Sequence, residues 1–166
     1  MPKLSADLLS QAGALAVAEN HKPKQASLRR AVSTAYYALF HCLIEETTSY
    51  LIGKGSENAA LRDLAARAFV HGKMKDLCLE FSKPIPKSAL LKSFWPLEPQ
   101  ASLQLGRLSS SFSKLQQLRH DADYDVGKRI VRNEALDAVE EAKIGIRALA
   151  DLKNTTLRSF DYFAPV

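Results

Sequence analysis

Residues 24–51 place apolar side chains around more than half the circumference of a single helix, which limits the chain to folds that enclose a helix on several sides. Leu28, Ala31, Val32, Ala35, Leu39, Cys42 and Leu43 follow the i, i+3, i+4, i+7 rule, and Tyr36, Tyr37 and Phe40 widen the arc. Such a helix belongs at the centre of a bundle. Its polar stripe is narrow: Arg30, Thr34, His41 and Glu45 fall within about 60° on the wheel. His41 and Glu45 lie one turn apart and can pair. The stripe is either a polar groove for a second subunit or ligand, or a solvated face. Glu46 falls inside the apolar arc and is a remote candidate partner for a buried cation.

The rest of the chain has no strand-like alternation, and helical periodicity recurs throughout, so the expected class is all-α. A first helix is predicted over residues 5–20, with Ser5 as N-cap and Leu8, Leu9, Ala12, Leu15, Ala16 and Val17 as its apolar set. Gly53 and Gly55 end the central helix. Ser56 is expected to cap a third helix, with Leu61, Leu64, Ala65 and Ala68 in register, and residues 74–81 form a short helix after Gly72. Prolines at 84, 86, 96 and 99 make residues 83–99 an irregular insertion, in which Leu90, Leu91, Phe94 and Trp95 are placed to form one apolar turn; docking as a lid, binding a partner and packing the end of the bundle all suit it, and packing is the default expectation. The helical pattern resumes from about Gln100 to Tyr124 and breaks at Gly127. A last long helix starts at Asn133 and buries Ala135, Val139, Ala142, Ile146 and Leu149. Leu136 and Ile144 fall off that stripe. With the aromatic tail FDYFAPV, they point to a homodimer contact.

At 166 residues the chain suits one domain, residues 1–166, around one hydrophobic core. Its 46% hydrophobic and 25% charged residues are those of an ordinary globular protein. No apolar run is long enough for a membrane span. The first twenty residues read as an amphipathic helix rather than a signal peptide, so a cytoplasmic location is expected. The two cysteines sit among apolar neighbours as buried, reduced thiols, and the four histidines show no zinc-ligand spacing. No metal site or cofactor is expected: there is no glycine-rich phosphate loop and no nucleophile elbow. A formal charge of +5 is compatible with RNA or another polyanion as partner.

The segment LRHDADYD, residues 118–125, carries the densest polar chemistry. Arg119 and Asp123 lie one helical turn apart, as do His120 and Tyr124. With Leu115 at zero, Leu108, Phe112, Leu118 and Ala122 gather within about 60° of it, and Arg119 falls at about 40°, inside the arc. A guanidinium there must be paired or face a ligand. Asp123 and Gln116, at the border of the arc, are its local candidate partners. A structural Arg–Asp pair and a ligand-facing site both satisfy the spacing.

Two segments together resemble the HEPN superfamily, a group associated with nucleotide binding. SLRRAVSTAYYALFHCLIEE, residues 27–46, resembles its Ser-x-x-Tyr-Tyr-Ala-x-Phe-His helix, matched by Ser33, Tyr36, Tyr37, Ala38, Phe40 and His41. LQQLRHDADYD, residues 115–125, resembles the Arg-x-x-Ala-Asp-Tyr signature of its small prokaryotic branch. The resemblance implies an up-and-down bundle of four to five helices, a homodimer, and in ribonuclease members an Arg…His pair that cleaves RNA without metal by general acid–base chemistry. Arg119 matches the arginine. Tyr124, Asp125 and Val126 occupy the spacings at which the histidine would stand, and tyrosine holds its proton to about pH 10. The expected function is therefore RNA or nucleotide binding through a dimer groove, without efficient catalysis, by Arg119, His120, Asp123 and Tyr124. The alternatives are a metal-independent ribonuclease toxin paired with a small nucleotidyltransferase, and a helical interaction scaffold held by a structural Arg–Asp pair.

Overall fold

The fold was taken from a computed structural model, which describes residues 1–81, 83, 85–92 and 97–161, and side chains within them except those of 90, 91 and 155–161. Its regular elements are all helical: α1 (Lys3–Ala16), α2 (Gln25–Ile52), a 3₁₀ turn (Ser56–Asn58), α3 (Ala59–Ala66), α4 (His71–Phe81), α5 (Ala89–Lys92), α6 (Pro99–Tyr124) and α7 (Arg132–Asp161). The four helices α1, α2, α6 and α7 form the bundle, and α2 packs against α1, α3, α6 and α7. The enclosure demanded by its wide apolar arc is thus met.

The helices alternate in direction. The start of α2 meets the end of α6, where Ser33 bonds Asp123 and Arg29 reaches Ala122. The start of α7 lies by the end of α1, and Lys153 far along α7 pairs with Glu46 far along α2, so these two run parallel. Ser111 and Lys114 of α6 meet Glu141 of α7 in antiparallel order. The short helices α3, α4 and α5 fill the excursion between α2 and α6.

The termini of the long helices follow local chemistry. Pro99 opens α6, and the Glu98 carboxylate accepts from the Ala101 N–H at 2.9 Å. Gly53 closes α2 with φ +94°, a backbone conformation that favours glycine. The core is built around small residues: Ala31, Ala35 and Ala38 of α2 and Ala135, Ala138 and Ala142 of α7 are fully buried. Gly145 marks a close approach of helices. A Cβ there would sit 2.7 Å from a Leu39 methyl and 3.1 Å from the Ser111 Cβ, so three helices converge where any larger residue would make Leu39 shift. The stripe Ala135, Val139, Ala142, Ile146 and Leu149 is buried as its periodicity predicts.

Several local expectations do not hold. The first helix begins two residues early, with Ala6 N–H bonded to Pro2, so Ser5 is a buried helical residue with an unpartnered hydroxyl rather than a cap. The same helix stops at Ala16 and leaves Val17 exposed. Ser56 caps nothing, and Leu61 and Leu64 are 53% and 64% exposed, because among the described helices α3 leans chiefly on α2. Leu136 is half-buried against the core instead of facing outward, while Ile144 is exposed. Residues 89–92 do form a helical turn, but the side chains of Leu90 and Leu91, and Phe94 and Trp95 altogether, lie outside the described residues. So do residues 162–166 of the aromatic tail and the side chains of Phe160 and Asp161.

Candidate functional site

Three side chains tie the α6–α7 connection and the start of α7 to the start of α2 and the chain that leads into it. Gln25 bonds both the N–H and the C=O of Ile130, at 3.0 and 2.7 Å. Arg29 donates to the carbonyls of Ala122 (2.7 Å), Asp125 (2.9 Å) and Lys128. These include carbonyls left unpaired where α6 ends, where a cation also complements the helix dipole. Arg132 donates to the carbonyls of Glu19 and Asn20. The end of α6, with its polar cluster, is thereby held to α2.

Arg119 sits within this frame, its side chain 17% exposed. Its Nε lies 3.1 Å from Asp123 Oδ2 in an ion pair, although the angle is not that of a hydrogen bond. Nη2 donates to Tyr37 Oη at 3.3 Å, and Nη1 has no hydrogen-bond partner among the described residues. The guanidinium carbon lies 5.8, 5.8 and 5.6 Å from the ring centres of Tyr36, Tyr37 and Tyr124, within cation–π range. The bond to Tyr37 holds the guanidinium above its ordinary pKa despite burial, helped by the charge of Asp123. Asp123 in turn accepts from the hydroxyl of Ser33, which is buried on α2.

The predicted group Arg119, His120, Asp123 and Tyr124 does come together. Tyr124 is 64% exposed, and its ring stands 5.1 Å from the exposed imidazole of His120. A charged guanidinium with an unspent donor thus borders two solvent-facing rings. Two proposed partners of Arg119 are corrected. Gln116 instead donates to the His71 carbonyl at 3.0 Å, and Glu46 pairs with Lys153, since α2 and α7 run parallel at that point.

His71 is the residue that sequence reasoning missed. It stands at the start of α4, 35 positions from Tyr36, and no spacing rule links the two. Its ring stacks on Phe40 at 4.0 Å and 24°, and its Nδ1 lies 2.5 Å from Tyr36 Oη. Tyr36 is fully buried, and burial pushes its phenol well above the usual range, so the hydroxyl keeps its proton and can donate to Nδ1 in the tautomer that carries the ring proton on Nε2. Burial lowers the His71 pKa, and Arg119 and His41 lower it further. The only earlier signal was the wide aromatic arc of α2, which required some further element to cover it.

The second polar stripe does not stay together. Thr34 is buried, Arg30 is exposed near the start of α2, and only His41 and Glu45 share a surface. They line a 610 Å³ cleft between α1, α2 and α3, whose far wall carries Lys54, Arg62 and Asp63. Burial lowers the His41 pKa, partly opposed by Glu45. Cys42 and Cys78 are unbonded thiols, each pushed up to about 11 by burial. Among the described residues no group of three or more His, Cys, Asp or Glu is placed to hold a metal ion, and no helix is long and apolar enough to cross a membrane. No family model matches the chain, and neither a curated protein nor a solved structure matches it.

Proposed function

We propose that this chain is a HEPN-like protein that binds RNA or a nucleotide at the end of α6, with Arg119 holding a phosphate and Tyr124 stacking on a base. The observation that carries the reading is the Arg119 guanidinium, charged and only partly neutralised, at the edge of an exposed Tyr124–His120 pair. Arginine suits phosphate because its planar fork donates along two directions, and a base stacks on any exposed aromatic face. Asp123, itself held by Ser33, meets the arginine at Nε and so orients its fork. We further read the protein as a homodimer, with exposed Ile144 of α7 at the contact, so that two such sites share one groove.

The decisive experiment measures binding of a short single-stranded RNA to the intact protein and to Tyr124→Ala. Because Tyr124 is mostly exposed, the variant keeps the fold, and loss of stacking lowers affinity about 5- to 150-fold. Equal affinity in the two proteins sinks the reading. A second reading, metal-independent RNA cleavage paired with a small nucleotidyltransferase, draws support from one observation: His71 brings an imidazole, a group able to accept and donate protons, to the rings that cradle Arg119. The scaffold reading draws on the Arg119–Tyr37 and Asp123–Ser33 bonds that tie α6 to α2.

A further inference from the structure

Resting on the reading of Arg119 as an anion site, we propose that His71 belongs to that site and takes up a proton when a phosphate ester binds there. The two side chains come from different helices yet share the same aromatic walls. The His71 ring lies 5.6 and 6.1 Å from those of Tyr36 and Tyr37, and the Arg119 guanidinium lies 5.8 Å from each. Gln116, one turn before Arg119, ties the His71 backbone to α6. The start of α4 is therefore tied to the turn of α6 that precedes the arginine.

The hydrogen bonding sets the charge state. In the tautomer in which Nδ1 accepts from Tyr36, the neutral ring carries its proton on Nε2. Adding a proton puts a hydrogen on Nδ1, so the Tyr36 hydroxyl must turn and accept instead. It also sets a second cation near Arg119. The groups that face the ring are Tyr36, Tyr37 and His41 from α2, and Arg119 with the neutral Gln116 from α6. No carboxylate is among these groups, and Asp123 lies against the Nε side of Arg119. The free protein therefore keeps His71 neutral, in line with its lowered pKa. A phosphate ester on Arg119 offsets the repulsion that disfavours the imidazolium, and by linkage the proton strengthens phosphate binding in return. Affinity should rise as pH falls from the bound-state to the free-state pKa of His71, by at most about tenfold per pH unit for one proton. Outside that window it is flat.

The test uses a short single-stranded RNA titrated calorimetrically in two buffers of different ionisation heat. The proteins compared are wild type, Arg119→Ala and His71→Gln, the last retaining an acceptor for Tyr36 but no titration. Proton uptake by wild type that falls in His71→Gln is expected. The ring C–H resonances of His71, followed against pH in wild type with and without the RNA, give the same answer without a variant, and the pKa should be higher with RNA. If Arg119→Ala abolishes binding but the His71 pKa is the same with and without RNA, the anion site stands and His71 has no part in it. If RNA binds equally well to Arg119→Ala, the anion site itself is wrong and this inference goes with it.

Discussion

The two ends of α2 are one helix in two different settings. At its start, Gln25, Arg29 and Ser33 each spend their polar atoms on the α6 end or on the chain that follows it, and the neighbouring Arg119 is cradled by three tyrosines. At its far end, Tyr50 and Leu51 are 58% and 72% exposed beside a groove of 220 Å³ shared with α7. His41 and Glu45 there line an open cleft instead of bonding a neighbour. The difference lies in what each end meets. The start faces the C-terminus of another long helix, whose unpaired carbonyls demand donors; the far end faces the short α3, which covers little. Several polar side chains of the start reach across to another long helix, whereas at the far end, among the described residues, Glu46 alone pairs across to α7, and the bonds of Arg62 and Asn58 stay within the adjoining turn.

The largest effect should separate buried from exposed apolar residues on this same helix. Leu39→Ala removes a fully buried side chain wedged against Gly145 and should cost about 2–5 kcal/mol in denaturant unfolding. Leu51→Ala, at the open end, should stay within about 0.5 kcal/mol. Comparable losses would mean that the far end is covered in solution and that the contrast between the ends is false.

A smaller effect should come from the two arginines that serve backbone carbonyls. Arg29→Ala strips donors from the end of α6 and should cost about 1–3 kcal/mol, with faster amide exchange over residues 122–131. Arg62→Ala loses only the bonds to Gly53 and Gly55, in a loop beside the open cleft, and should cost about 1 kcal/mol or less. Reversal of that order would place the stronger clamp at the wrong end.

The smallest effect concerns pH, and it is shared between the ends through His71 and His41. Both have folded-state pKa values below the ordinary histidine value, chiefly through burial. As pH falls below that ordinary value the unfolded chain takes up protons while the folded one does not, so stability declines until the folded pKa is passed and then levels. His71→Gln should flatten part of this decline in melting temperature against pH. A wild-type melting temperature that rises on acidification through this window would contradict the placement of both rings.

Much of the framework was legible in residue order because its causes are local. The extents of α2 and α6, the centrality of α2, the buried face of α7 and the Arg119–Asp123 pair all follow from a 3.6-residue period and turn chemistry within a few positions. Tertiary structure decided which helix covers which face. It sent Glu46 to Lys153, buried Thr34, left Leu61 and Leu64 in solvent, and brought His71 to Tyr36. The physical reason is that a helix's period marks its apolar face but not its neighbour or their relative height. Those depend on where backbones can approach, here at buried alanines and Gly145, and on which stranded carbonyls meet Gln25 and Arg29.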